Sequence, residues 1–185
     1  MANPSKTSRS VIYQIDKFTK QQSIMQADHT YIHAGIGFTI AVDLGSISAA
    51  THIGFTTPAA GNYLHFRPAS AMVTTSADSV EYQLREGITS FASGSAYTPF
   101  NRNRNNSNTS GVTILTTTTP VIGSPTLLDT FYVGTAGNPA TRSGGAGGGG
   151  EEIIFKPATD YLFTFTPAGA TDVTFSVFWY EEEVT

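Results

Sequence analysis

Bulky residues alternate with small or polar ones at a period of two along much of this chain. The alternation is cleanest near the end, where Tyr161-Leu162-Phe163-Thr164-Phe165 and Val173-Thr174-Phe175-Ser176-Val177-Phe178-Trp179-Tyr180 flank a Pro167-Ala168-Gly169-Ala170 turn and run into Glu181-Glu182-Glu183. Read as a closing β-hairpin, these strands place Tyr161, Phe163 and Phe165 on one face. Val173, Phe175, Val177 and Trp179 share one face of the next strand, so each strand can line a sandwich core. Between Tyr31 and Leu44, Ile36, Phe38, Ile40 and Val42 alternate with Gly35, Gly37, Thr39 and Ala41. That stretch predicts one bulky face and one nearly bare face, which another sheet or backbone can approach closely. Further strands are predicted over 11–15, 51–57, 63–67, 71–75, 80–85, 112–118, 127–133 and 152–155, most of them bounded by Gly, Pro, Asn or Asp.

Helical periodicity is almost nowhere to be found, and Pro and Gly recur too often for a sustained amphipathic helix. The pattern therefore predicts an all-β protein. Many short strands with long connections favour a two-sheet, jelly-roll-like sandwich over a small closed barrel, while strand order is left open by periodicity. Residues 1–10 are polar and aperiodic and read as a short flexible N-terminal arm, with residues 11–185 forming a single β-sandwich domain. Two loops exceed ordinary hairpin length: 98–110, which carries Asn101-Arg102-Asn103-Arg104-Asn105-Asn106, and 134–150, which ends in Gly144-Gly145-Ala146-Gly147-Gly148-Gly149-Gly150.

A chain of 185 residues is long enough to bury a core without disulfides or metal. Only 13% of its residues are charged, against about 25% in ordinary domains, and Ser, Thr, Gly and Asn fill the polar positions. Such a surface suits extensive contact with neighbours, because few strongly hydrated groups must be stripped of water on docking. A net charge of -4 and a pI near 5.4 argue against nucleic acid as a partner. The absence of cysteine removes disulfides, thiolate metal sites and a thiol nucleophile. The first ten residues lack an apolar signal core and no apolar run reaches about 18 residues, so synthesis in the cytoplasm and no membrane association are expected. The acceptor patterns at Asn105-Asn106-Ser107 and Asn108-Thr109-Ser110 then read as accidents of an Asn-rich loop.

Signs of catalysis are sparse. His29 and His33, in Asp28-His29-Thr30-Tyr31-Ile32-His33, would share a face of a strand, and His52 and His65 would have to approach from neighbouring strands to complete a cupin-like metal site. The spacing lacks the His-x-His pair and following Glu of such sites, so structural histidines and no metal or other cofactor are expected. The glycine run before Glu151-Glu152 lacks the Lys-Ser or Lys-Thr of a phosphate cradle. No Gly-x-Ser-x-Gly elbow occurs. The carboxylate groups at Glu81 and Glu86, and at Glu181 to Glu183, read as solvated faces, and the chain is expected not to be an enzyme. The strongest interaction candidates are Asn101, Arg102, Asn103, Arg104 and Asn105, whose amides and guanidiniums can bond to carbonyls or carboxylates of a neighbour. The competing reading of this loop is a solvent-exposed turn in which Asn serves positive φ.

Taken in order, His29-Thr30-Tyr31-Ile32-His33-Ala34-Gly35, Ile53-Gly54-Phe55-Thr56-Thr57-Pro58, Phe100-Asn101-Arg102-Asn103-Arg104, Glu152-Ile153-Ile154-Phe155 and Phe178-Trp179-Tyr180-Glu181 resemble a family of tailed-bacteriophage virion proteins, the head decoration or cement proteins. The likeness spans about residues 28 to 181. It implies a jelly-roll-like structural protein on the outer capsid surface, gripping the major capsid protein and stabilising the head against internal DNA pressure. A homo-oligomer is expected, a homotrimer in preference to a dimer. The chain departs from the family pattern at Thr30-Tyr31, where an acidic residue would follow the first histidine, and in the glycine run before Glu151. The alternative is a tail-associated or receptor-binding β-sandwich that recognises host-surface glycans.

Overall fold

The computed structural model describes residues 13–15, 22–24, 27–59, 62–73, 79–133, 142–145 and 152–183. The arm at 1–10 and most of the 134–150 loop lie outside them. The elements, in chain order, are β1 (Tyr13–Ile15), β2 (Gln22–Ile24), α1 (Ala27–His33), β3 (Gly37–Ile47), β4 (Thr51–Thr56), β5 (Asn62–Val73), β6 (Val80–Glu86), β7 (Ser90–Tyr97), β8 (Phe100–Asn101), β9 (Thr113–Val121), β10 (Thr126–Val133), β11 (Arg142–Gly145), β12 (Ile153–Phe155), β13 (Asp160–Pro167) and β14 (Thr171–Glu183).

Apart from the small β1–β2 ladder, the strands form two antiparallel sheets. One has the order β10-β6-β13-β4-β9-β7, the other β11-β5-β14-β3-β8, with β12 also pairing β5. The pairings are nested: β3 lies on β14, β4 on β13, β5 on β11 and β12, and β6 on β10. A single long antiparallel ribbon has thus been rolled over on itself, its strands alternately assigned to the two sheets, which is the jelly-roll topology. The segment between β6 and β10, at the tip of this ribbon, is an insertion. It extends one sheet by β9 and β7 and the other by β8.

Aromatic rings from both sheets fill the space between them. Trp179 of β14 meets Phe55 of β4 edge to face at 5.2 Å, Phe163 of β13 lies 5.2 Å from Phe175 of β14, and Phe66 of β5 stacks on Phe155 of β12 at 4.7 Å. The residues placed inward by alternation, Tyr161, Phe163, Phe165, Val173, Phe175, Val177 and Trp179, are all buried. Each ring carries a large apolar area and the tilted and edge-on geometries add favourable quadrupole contacts, so this layer dominates cohesion.

Three expectations are corrected, and one further strand is found. β13 and β14 do not form a hairpin: β13 is flanked by β4 and β6, β14 by β3 and β5, and residues 168–170 carry the chain from one sheet to the other. Period-two patterning tells which side chains face inward and is silent on which strand is the neighbour. The stretch from Ala27 to His33 is a helix, closed by a hydrogen-bond pair in which Gly35 N–H donates to Ile32 O and Ile36 N–H to Tyr31 O. This glycine-terminated stop needs the positive φ of +73° that Gly35 adopts. The strands expected at 63–67 and 71–75 are one continuous strand. The further strand is β7, which periodicity does not predict because Ser90–Tyr97 is almost wholly exposed at the sheet edge and has no apolar alternation.

Candidate functional site

The outer face of the sheet containing β14 gathers more chemistry than any other described part of the surface. Val177 and Trp179 of β14 and Leu64 and Phe66 of β5 are buried against the core, so the alternate positions Phe178, Tyr180 and Glu182 of β14 and Tyr63, His65 and Arg67 of β5 point outward. Register then sets their neighbours. One row runs Ile154, His65, Tyr180, Gly37 across β12, β5, β14 and β3; the next runs Arg67, Phe178, Thr39, Phe100 from β5 to β8.

Gly37 leaves a gap in the first row that α1 fills. A methyl group at Gly37 would lie 3.6 Å from Ile32 Cα and 3.3 Å from Phe178 Cε2. The bare face predicted for β3 therefore admits a helix. With α1 seated there, Tyr31 stacks on Tyr180 at 3.8 Å, and Tyr180 in turn stacks on His65 at 4.4 Å. Glu152 closes the cluster: it lies 2.6 Å from His65 Nδ1, accepts a hydrogen bond of 2.8 Å from Tyr180 Oη, and sits 3.8 Å from Arg67 Nη2. Burial pushes the Glu152 carboxyl up, but the hydrogen bonds from His65 and Tyr180 and the charges of His65 and Arg67 outweigh it and hold the group below the ordinary carboxylate range. Burial, reinforced by the Glu152 bond, pushes the Tyr180 phenol well up. A carboxylate already engaged by two donors, beside a phenol held protonated, makes a fixed platform; neither group is poised to exchange a proton near neutrality.

The loop after β8 lies against the same face. Arg102 places its guanidinium carbon 4.5 Å from the Phe178 ring centroid, and Arg104 lies 5.7 Å from that of Phe100. Both arginines are exposed. Cation–π contact with rings of the sheet positions them without neutralising them. Asn101 and Asn103 serve the loop itself. Asn101 is buried; its amide donates to Gly35 O and Asn108 O, and its Oδ1 accepts from Asn103 N–H. Asn103 donates to His33 O and its Oδ1 accepts from Asn105 N–H. Asn105 is exposed beside the arginines. Of the five residues singled out in the loop, Arg102, Arg104 and Asn105 are presented outward, and Asn101 and Asn103 tie the loop to α1.

The four histidines do not converge. His29 and His33 face each other on α1, His52 bonds Thr164 on the outer face of the opposite sheet, and His65 belongs to the Glu152 cluster. Burial lowers the affinity of His52 for a proton. Among the described residues, no group of three or more His, Cys, Asp or Glu side chains is placed to hold a metal ion.

Reading Glu181 as part of a solvated face is also corrected, while Glu182 is exposed as expected. Glu181 is 6% exposed and turned inward, where it accepts hydrogen bonds from Trp179 Nε1, Ser110 Oγ and Gly111 N–H. It follows Trp179 by two residues, so the alternation that buries the indole also buries the carboxylate. The signal was present and was overridden by the expectation that charge stays outside. Glu86 bonds Lys156 Nζ and Tyr161 Oη. Compared with known proteins, this chain matches no family model, no curated protein and no solved structure.

Proposed function

We propose that this protein is a non-enzymatic virion structural protein that docks, through the outer face of its β14-containing sheet, onto the major capsid lattice of a tailed-phage head and stabilises it. The observation that carries the reading is the pair of exposed guanidiniums, Arg102 and Arg104, laid on Phe178 and Phe100 of a rigid sheet. Arginine and aromatic side chains concentrate binding energy at protein interfaces. Their order before contact lowers the entropy lost on docking. The succession of motifs that resembles decoration proteins supports the choice of partner. A homotrimer would multiply modest contacts through effective concentration, and preferential binding to assembled lattice would shift the assembly equilibrium by the binding free energy.

The test is electron microscopy of heads made with and without the protein, together with DNA release on heating. Shell density that disappears on omission, with release at lower temperature, is expected. Replacing both Arg102 and Arg104 by Ala should weaken attachment at least tenfold while leaving the free protein folded. Heads of equal stability with no missing density would overturn the reading, and selective retention on host-surface glycans instead would assign the face to a receptor-binding role.

A further inference from the structure

We propose that His29 and His33 form a bidentate site for a zinc-class divalent cation on the exposed side of α1. This goes beyond the docking role and is independent of it. Residues four apart on a helix lie on one face, one turn apart. Here the two rings face each other with centroids 4.6 Å apart, and their Nε2 atoms are 3.2 Å apart. Both residues are exposed, so a cation reaches them without displacing any part of the fold.

The separation is informative about the metal. With Zn–N bonds of about 2.0–2.1 Å, two nitrogens held 3.2 Å apart subtend an angle of about 100–106° at the ion. A 90° angle, as in octahedral or square-planar coordination, would need the nitrogens about 2.9 Å apart at the same bond length. The bite fits a tetrahedral ion, with water completing the two remaining positions. Imidazole is a ligand of choice for zinc, and protons compete for the same nitrogens, so acid should release the ion.

The clip has a structural consequence. α1 spans only seven residues, too few to hold helical form without tertiary support. Its C-terminal turn is also the anchor of the Asn101–Asn108 loop, through Asn103 donating to His33 O and through Asn101 and Asn108 donating to Gly35 O. An ion bridging one turn of α1 stiffens that anchor. At a free concentration of 100 times the dissociation constant, local opening of α1 should be suppressed about 100-fold.

The experiment is a titration of metal-free protein with zinc at pH 7.5, followed by hydrogen exchange with and without zinc. Saturable uptake of one ion per chain is expected, lost or weakened at least tenfold in His29→Ala and in His33→Gln and unchanged in His52→Gln. The Ile36 amide, which donates to Tyr31 O, should gain protection with zinc. Cobalt substituted at the site should give the intense visible absorption of tetrahedral geometry. Far-ultraviolet dichroism matching the unaltered chain establishes that the variants are folded. No saturable uptake, uptake that survives in both helix variants, or a weak octahedral cobalt spectrum would overturn the proposal.

Discussion

Gly35 is where the fold and the candidate site meet, and its replacement by Ala has a cost that can be worked out. Its φ of +73° is strained for any residue with a Cβ, and the added atom would fall 2.1 Å from Asn106 Nδ2. The conformational term alone is about 1–2 kcal/mol. Asn106 must also move, and its Oδ1 accepts the Asn108 N–H at 2.8 Å, so displacement forfeits a bond of about 0.5–1.5 kcal/mol. The total is about 0.5–3 kcal/mol once the entropy that Ala removes from the unfolded chain is credited. For a chain of this size that lowers the melting temperature by about 1–12 °C. Gly45 supplies a matched control: its φ is +62° and a Cβ there would meet nothing within 4 Å. Gly45→Ala carries the same conformational and unfolded-state terms without the clash, so the difference between the variants isolates the contact with Asn106. Urea denaturation at 25 °C should place Gly35→Ala about 0.5–1.5 kcal/mol below Gly45→Ala at unchanged slope. Equal losses would refute the claim that the C-terminus of α1 and the 101–108 loop are packed as a unit.

Other perturbations probe the rest of the structure. Glu181→Ala leaves the Trp179 indole N–H and the Gly111 N–H without their carboxylate and should cost about 3 kcal/mol in chemical denaturation, whereas Glu182→Ala, 54% exposed, should change stability by less than about 0.5 kcal/mol. Glu152 titrates below its unfolded value when folded, so its stabilisation is fully present above about pH 4.3 and is lost as pH falls through the lower folded value. Denaturation curves between pH 7 and pH 3 should therefore show a shallower acid decline for Glu152→Gln than for the unaltered protein, and identical slopes would remove Glu152 from the account. Burial lowers the His52 proton affinity, so His52→Gln should abolish a loss of stability that sets in as pH falls below about 6.5. Light scattering of the purified chain should give three times the monomer mass; a monomeric or dimeric mass would sink the trimer.

The core was legible and the site only partly so, for a physical reason. An inward strand position must be apolar at every second residue, and that demand printed the Phe163, Phe165, Phe175 and Trp179 pattern along the chain. Strand partners leave no comparable mark, so β13 and β14 read as a hairpin although they lie in opposite sheets. The helix at Ala27–His33 is too short to show periodicity, and only Gly35, with a histidine in the preceding turn, signalled its end. Arg102 and Arg104 stand out in the sequence beside Phe100, while Phe178, the ring beneath Arg102, comes from a strand distant in the chain. The Glu152 cluster could not be anticipated, because it needs the register that sets His65 opposite Tyr180.

How such a body should meet a partner follows from its edges as much as from its faces. β-Proteins engage other chains either by adding a strand to an open edge or by laying down a face. The outermost strands of one sheet are β7 and β10. β7 breaks register twice, between Phe91 and Ser93 and between Ser93 and Ser95, with Gly94 at φ +147°, and β10 breaks it between Leu127 and Asp129. In the other sheet β8 is only two residues long and β11 only four. Bulges and truncation of this kind spoil the regular row of N–H and C=O groups that a guest strand needs. A face, by contrast, is available where Arg102, Arg104, Tyr63 and Ile154 stand exposed around the His65–Tyr180–Glu152 platform. Contact should therefore be made by side chains. An extended partner segment hydrogen-bonded along β7 or β10 in a complex would contradict this, and solvent protection spread over Arg102, Arg104 and Ile154 would bear it out.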